Sequence, residues 1–178
     1  GGWAGRFIWL LDVIGHERYP YLNGGIQAWP ADKLSTAVPA IGSAPVHLHI
    51  DTAPTATREY LQSRLGADDL VIWDARGPQE FSGEKVLAAK GGHIPGAINF
   101  EWTAGMDFND HLRIRQDIAE VLKQLGITPD KEVITHCQTH RRSGFTYLVA
   151  KSLGYPRVKA YAGSWGEWGN HPDTPVEV

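Results

Sequence analysis

The stretch that decides the architecture is Val133-Ile134-Thr135-His136-Cys137-Gln138-Thr139-His140-Arg141-Arg142-Ser143-Gly144. A short apolar run of strand character leads into a polar loop, and a helix-like run begins near Ser143. Cys137 is the only cysteine in the chain and stands at the strand-to-loop junction. Backbone amides of such a loop curl around whatever lies over the helix N-terminus, which makes an anion site. The helix end and the two loop arginines favour a thiolate, so Cys137 is expected to be the nucleophile rather than an inert core cysteine. Arg142 is a cation at a helix start, where the dipole disfavours one; a bound anion accounts for it.

Working outward, strands and helices alternate. Residues 70–73, Leu-Val-Ile-Trp, read as a buried strand ending at Asp74, and residues 55–65 and 115–125 read as helices, the latter closed by Gly126. Residues 143–153 read as a helix closed by Gly154, and residues 158–161 and 47–50 as strands. This pattern predicts an α/β domain with a mostly parallel central sheet flanked by helices on both faces. Ligands gather at the carboxyl ends of such strands, where both Asp74 and Cys137 fall, so the two are expected to meet. Asp74 and Arg76 are expected to pair and support the loop.

The chain also carries a partial internal repeat. Gly5, Gly15, Arg18, Gly24 and Trp29 stand 139 positions before Gly144, Gly154, Arg157, Gly163 and Trp168. Both copies read as an apolar helix ending at glycine, a short strand, and a glycine before an aromatic turn. Residues 1–30 are therefore expected to be the last section of a first, noncatalytic domain, residues 31–46 an interdomain linker rich in alanine, proline, serine and threonine, and residues 47–178 the catalytic domain. The beginning Gly1-Gly2-Trp3, without methionine or leader, reads as a processed or truncated N-terminus.

Composition narrows the function. At 178 residues and 42% hydrophobic content the chain supports one ordinary core, and no run approaches the length of a membrane span. A net charge of -3 gives no overall attraction to nucleic acid or anionic membrane. One cysteine excludes an internal disulfide and suits a reducing cytoplasm.

Four stretches together resemble the rhodanese family, the thiosulfate sulfurtransferases: residues 136–144 around the cysteine, Asp74-Ala75-Arg76 with Glu80-Phe81-Ser82-Gly83, Gly92-His93-Ile94-Pro95-Gly96-Ala97-Ile98-Asn99, and Tyr161-Ala162-Gly163-Ser164-Trp165 with Trp168. They cover most of residues 44–178, and the loop CQTHRR is most similar to bacterial tandem-domain members. The resemblance implies transfer of a sulfane sulfur from thiosulfate to cyanide or another thiophilic acceptor, including a thiol or a protein, through a Cys137 persulfide, without cofactor or metal. On that reading Cys137 and Arg142 are catalytic, and Gln138, Thr139, His140, Arg141 and Trp102 contact substrate. Trp165 and Trp168 either wall the same pocket or belong to the core. His136 is expected to be structural, His93 to fix a loop, and His47 with His49 to be structural or solvated. Glu80 departs from the vertebrate members, which resemblance implies carry a cation there, and the loop lacks their lysine; both weaken thiosulfate as the donor. Other readings are a persulfide carrier, a mercaptopyruvate sulfurtransferase, whose loop is smaller and richer in glycine and serine, and a phosphatase of the same fold. Phosphatase loops place five residues between cysteine and arginine; here there are four.

Overall fold

The apolar run 70–73 becomes β1 (Leu70–Asp74), which pairs in parallel with β2 (Ile98–Asn99) on one side and β5 (Glu132–His136) on the other. β6 (Val158–Ala160) joins β5, also in parallel, giving the order β2-β1-β5-β6. A separate antiparallel pair, β3 (Met106–Asp107) and β4 (Arg113–Ile114), lies outside this sheet. These elements come from a computed structural model that describes residues 1–178 apart from 17, 41, 44, 46 and 47.

Successive side chains of a strand point to opposite faces, and here both faces are covered. Val71, Trp73 and Val133 pack with α4 (Ile118–Gln124) and with Phe145, Val149 and Ala150 of α5 (Arg142–Ser152). Ile72 and Ile134 pack on the other side with Leu61 of α2 (Arg58–Ser63) and with Trp165 and Trp168 of α6 (Ser164–Trp168). The α/β architecture with helices on both faces is thus as the alternation predicts, and Trp165 and Trp168 belong to the core.

Local chemistry explains the boundaries. Thr57 caps α2 by accepting the Tyr60 amide at 3.1 Å, so the helix begins at Arg58 and not at 55. The start of the helix expected at 115 is delayed to Ile118 because residues 113–114 pair with 106–107 first. α5 closes at Gly154, whose φ of +78° and amide bond to Lys151 O form the left-handed helix end that glycine accommodates without strain. Two expected strands are absent. The short strand expected between Gly15 and Gly24 does not form among the described residues. Residues 48–50 form none either; His49 and Asp51 instead donate to the carbonyls of Ile14 and Val13, while His47 lies outside the described residues.

The first helix, α1 (Gly2–Val13), packs along α5 with close backbone approach at its glycines and with side-chain bonds from Asp12 to Tyr147 and Lys151. A Cβ built on Gly5 would stand 2.1 Å from Gly144 O, and one built on Gly144 would stand 2.5 Å from the Arg6 amide. Gly2 meets Arg141, Gly5 meets Gly144, and Asp12 pairs with Lys151 at 2.5 Å. Each pair is separated by 139 residues, so the two helices run parallel and in register. The opposite face of α1 leaves Trp3 and Phe7 exposed. Among the described residues, no helix is long and apolar enough to cross a membrane.

Candidate active site

The parallel register places Asp74 opposite His136, so the residue after β5, Cys137, emerges beside the carboxyl end of β1. Cys137 is 1% exposed, which shields its sulfur from bulk water. The loop that follows is fastened from outside. The carbonyls of Cys137 and Gln138 accept the amides of Trp165 and Gly166 from α6, and Thr139 O accepts Arg6 Nη1 at 3.1 Å. Ser164 Oγ accepts two loop amides, Cys137 at 3.3 Å and His140 at 3.1 Å, while donating to Tyr161 O. Ser164 itself sits at φ +55°, a strained conformation for a side-chain-bearing residue, which the surrounding bonds hold in place. With its carbonyls tied back, the loop has the amides of Gln138, Thr139, Arg141 and Arg142 unclaimed by any acceptor among the described residues. That is the arrangement an anion hole requires.

Arg142 opens α5 and its guanidinium grips Glu80 with both terminal nitrogens, at 2.5 and 2.8 Å. The hydrogen bonds to Glu80, aided by the nearby Cys137 sulfur, raise its proton affinity above the usual arginine value. Glu80 comes from the short α3 (Pro78–Phe81) and is nearly buried; burial would raise its carboxyl, but Arg142 outweighs that and holds it below the ordinary glutamate range. This partnership across 62 residues is the main feature of the site that sequence reading missed. The only available sign was the glutamate's odd presence in an otherwise cationic neighbourhood.

The expected Asp74–Arg76 pair forms and is fully buried, with Arg76 Nη2 at 2.6 Å from Asp74 Oδ2 and 2.8 Å from Gly92 O. The Arg76 guanidinium lies 4.4 Å from the centre of the Trp165 ring, and the Trp165 amide holds the Cys137 carbonyl, so the pair underpins the loop. Burial pushes the Asp74 carboxyl up, yet His136 and Arg76 together bring it below the normal range; burial drives His136 down. His136 is fully buried, its Nε2 3.6 Å from Asp74 Oδ2, and His93 is held to Phe81 O at 2.9 Å.

The remaining predicted contacts divide. Thr139 is exposed at the loop apex, and Gln138 reaches across to Leu87 O at 3.1 Å. Arg141 is exposed and turns outward, its guanidinium 5.3 Å from the Trp3 ring. Trp102 packs edge-on against Phe145, 6.3 Å between ring centres, and passes beside Gly2. His140 corrects the expectation of a substrate-facing rim. At φ +55° its side chain swings inward and is fully buried between Trp9, edge-on at 4.7 Å, and Ser143 Oγ at 2.8 Å from Nδ1.

That burial, with Arg6 adding to it, lowers His140 to about 4. The folded state then binds fewer protons than the unfolded chain below the ordinary histidine value near 6.5, so stability is complete above that value and drains away as pH falls toward about 4. Replacing His140 by Asn, which tolerates a left-handed backbone, should remove about 2 kcal/mol of the acid-induced loss at pH 5. Urea unfolding of both proteins at pH 7.5 and pH 5 measures it; equal losses would exclude a neutral buried His140.

A model of the rhodanese-like domain matches residues 57–171. The chain belongs to the rhodanese-like domain family. Among its rhodanese relatives, a thiosulfate sulfurtransferase of Pseudomonas aeruginosa is 75% identical over all of this chain, and one of Azotobacter vinelandii is 72% identical. The chain spans 66% of the length of each. A sulfur carrier protein, TtuD, of Thermus thermophilus is 32% identical over 98% of this chain and 66% of its own length. Among solved structures, EanB bearing a cysteine persulfide in a tetrahedral intermediate state with ergothioneine superposes with a TM-score of 0.85 at 26% identity, covering 98% of this chain and 45% of that one.

Proposed function

We propose that this rhodanese domain is a thiosulfate sulfurtransferase working by double displacement through Cys137. The observation that carries the reading is the set of unclaimed amides around a shielded cysteine with Arg142 at its side. In the first half-reaction the Cys137 thiolate attacks the outer sulfur of thiosulfate. The donor's S–S bond breaks with its electron pair leaving on sulfite, and a new S–S bond makes the Cys137 persulfide. In the second, an acceptor such as cyanide or a thiol attacks the outer persulfide sulfur and the thiolate is restored. No proton transfer is needed in either step with cyanide, which fits a loop whose histidine is buried against Trp9. The amides of Gln138, Thr139, Arg141 and Arg142 stabilise charge on donor and persulfide; removing one such donor in comparable holes costs about 10²–10³ in rate.

Two observations support a wider reading. The 139-residue register between α1 and α5 and the exposed Trp3 and Phe7 favour taking residues 1–30 as the end of a preceding domain of the same kind, joined by 31–46 to the catalytic domain. The exposed Thr139 and Arg141, with a sulfur carrier protein among the relatives, favour a protein as a further sulfur acceptor. A single cysteine that must stay reduced between turnovers suits the cytoplasm.

Intact mass of the protein after thiosulfate, before and after cyanide, tests the proposal. One sulfur atom is gained and then removed. A folded protein that gains none would exclude thiosulfate as donor.

A further inference from the structure

The ammonium of Lys90 is held by a turn of the chain rather than by a carboxylate. Its protons are shared among the carbonyls of His171, Pro172 and Thr174, at 2.7, 3.0 and 2.7 Å, and the Thr174 hydroxyl at 3.2 Å. The backbone beside it is tied to the same turn: the Lys90 amide donates to Gly169 O at 3.0 Å and the Ala89 amide to Asn170 Oδ1 at 2.8 Å. Just before these residues, Leu87 O accepts Gln138 Nε2 from the cysteine loop at 3.1 Å. Burial does little to hold this segment. Residues 84–87 and 89 are exposed, only Ala88 among them packs against the core, and left-handed glycines flank the stretch, Gly83 at φ +79° and Gly92 at φ +98°. A segment with so few buried contacts keeps its place through its polar bonds.

We infer that Lys90 is a positioning residue of the sulfur-transfer site: its ammonium clasps residues 87–90 to the turn 169–174, and through Leu87 O this clasp fixes Gln138 and the loop amides on either side of it. The inference rests on the sulfur-transfer reading above. Gln138 joins the two peptides that present the amides of Gln138 and Thr139, both unclaimed by any acceptor among the described residues. The carbonyls of those peptides are held by the Trp165 and Gly166 amides of α6, and the Gln138 side chain is the third anchor. Without that anchor the two amides drift from the place where charge develops, and such donors act only when aimed there in advance. Lys90 takes no part in the chemistry; it acts through Leu87 and Gln138.

The test follows the rate at which Cys137 gains sulfur from thiosulfate, by time-resolved intact mass over a range of donor concentration. The parent, Lys90→Met, Gln138→Ala and the double variant are compared, each below its own melting transition. Each single variant is expected to lower the saturating rate about tenfold, the scale of a small misplacement at a reacting centre. The double variant is expected to be no slower than the slower single one, because both changes break the same chain of contacts. An unchanged saturating rate in Lys90→Met, or losses that multiply in the double variant as a merely structural lysine would give, overturns the assignment. Lys90→Gln, which keeps part of the hydrogen bonding to the turn, takes the place of Met where the Met variant does not fold. Gln138→Ala leaves the Lys90 turn intact and decides by itself in one direction: a rate equal to the parent's overturns the assignment whatever the lysine variants do. A parent that gains no sulfur from thiosulfate overturns the sulfur-transfer reading, whereas a parent that gains it at the same rate as Lys90→Met overturns this assignment alone.

Discussion

Cys137→Ser is expected to leave no detectable persulfide after any sulfane donor, while the protein keeps its fold. A serine hydroxyl at the same place is not ionised near neutral pH, and oxygen is a poor nucleophile toward divalent sulfur, so the first half-reaction has no partner. The loop amides and Arg142 remain, so donor binding persists without chemistry. The replacement is small: sulfur to oxygen at a site ringed by amide donors, with an expected stability change of about 1 kcal/mol. Intact mass with thiosulfate and a thermal unfolding curve decide together. A sulfur adduct on the Ser variant would remove Cys137 from the mechanism; an unfolded variant would show that the loop depends on the thiol for its shape.

The largest stability effect is expected at Asp74. Its carboxylate is the counter-charge for Arg76 and lies 3.6 Å from His136 Nε2, and all three side chains are fully buried. Asp74→Ala leaves a guanidinium in the interior with only the Gly92 carbonyl and the Trp165 ring as partners. Breaking a buried pair from one side typically costs about 3–5 kcal/mol. For a chain of this size that lowers the melting temperature by roughly 6–20 °C. Asp74→Asn, which keeps hydrogen-bond acceptance but not the charge, should fall between parent and Ala. A loss below about 1 kcal/mol in the Ala variant would mean that Arg76 finds another anion. Because Trp165 carries both the Arg76 contact and the bond to the Cys137 carbonyl, sulfur transfer should decline before the protein melts.

What the sequence disclosed and what it hid divide along the range of the forces involved. β1, β5, α5 and the Asp74–Arg76 pair follow from patterns only a few residues long: apolar runs, a closing glycine, a carboxylate two residues before an arginine. The convergence of Asp74 and Cys137 follows because parallel strands bring their carboxyl ends to one edge. Three features depend on partners distant in the chain or on a single dihedral angle, and none was legible. The Glu80–Arg142 pair spans 62 residues. The inward turn of His140 hangs on one left-handed residue, which reverses the side of the loop its ring occupies. The strand expected between Gly15 and Gly24, absent among the described residues, shows that strand-like residues need a neighbour to pair with, a property of the assembly and not of the segment.

The contact between Gly5 and Gly144 carries a consequence for how such a chain can change over generations. In most helix pairs a bulkier residue on one side is offset by a smaller one opposite, so drift proceeds by paired substitutions. Here each helix meets the other's backbone through a residue that has no side chain to give up. A second-site suppressor of a Gly5 replacement therefore does not exist at position 144, nor the reverse. Relief must come from sliding one helix along the other, which would also break the Asp12–Lys151 pairing and drag Arg6 and Trp9 away from the cysteine loop. The first helix and α5 are thus tied into a single heritable unit, although more than a hundred residues separate them.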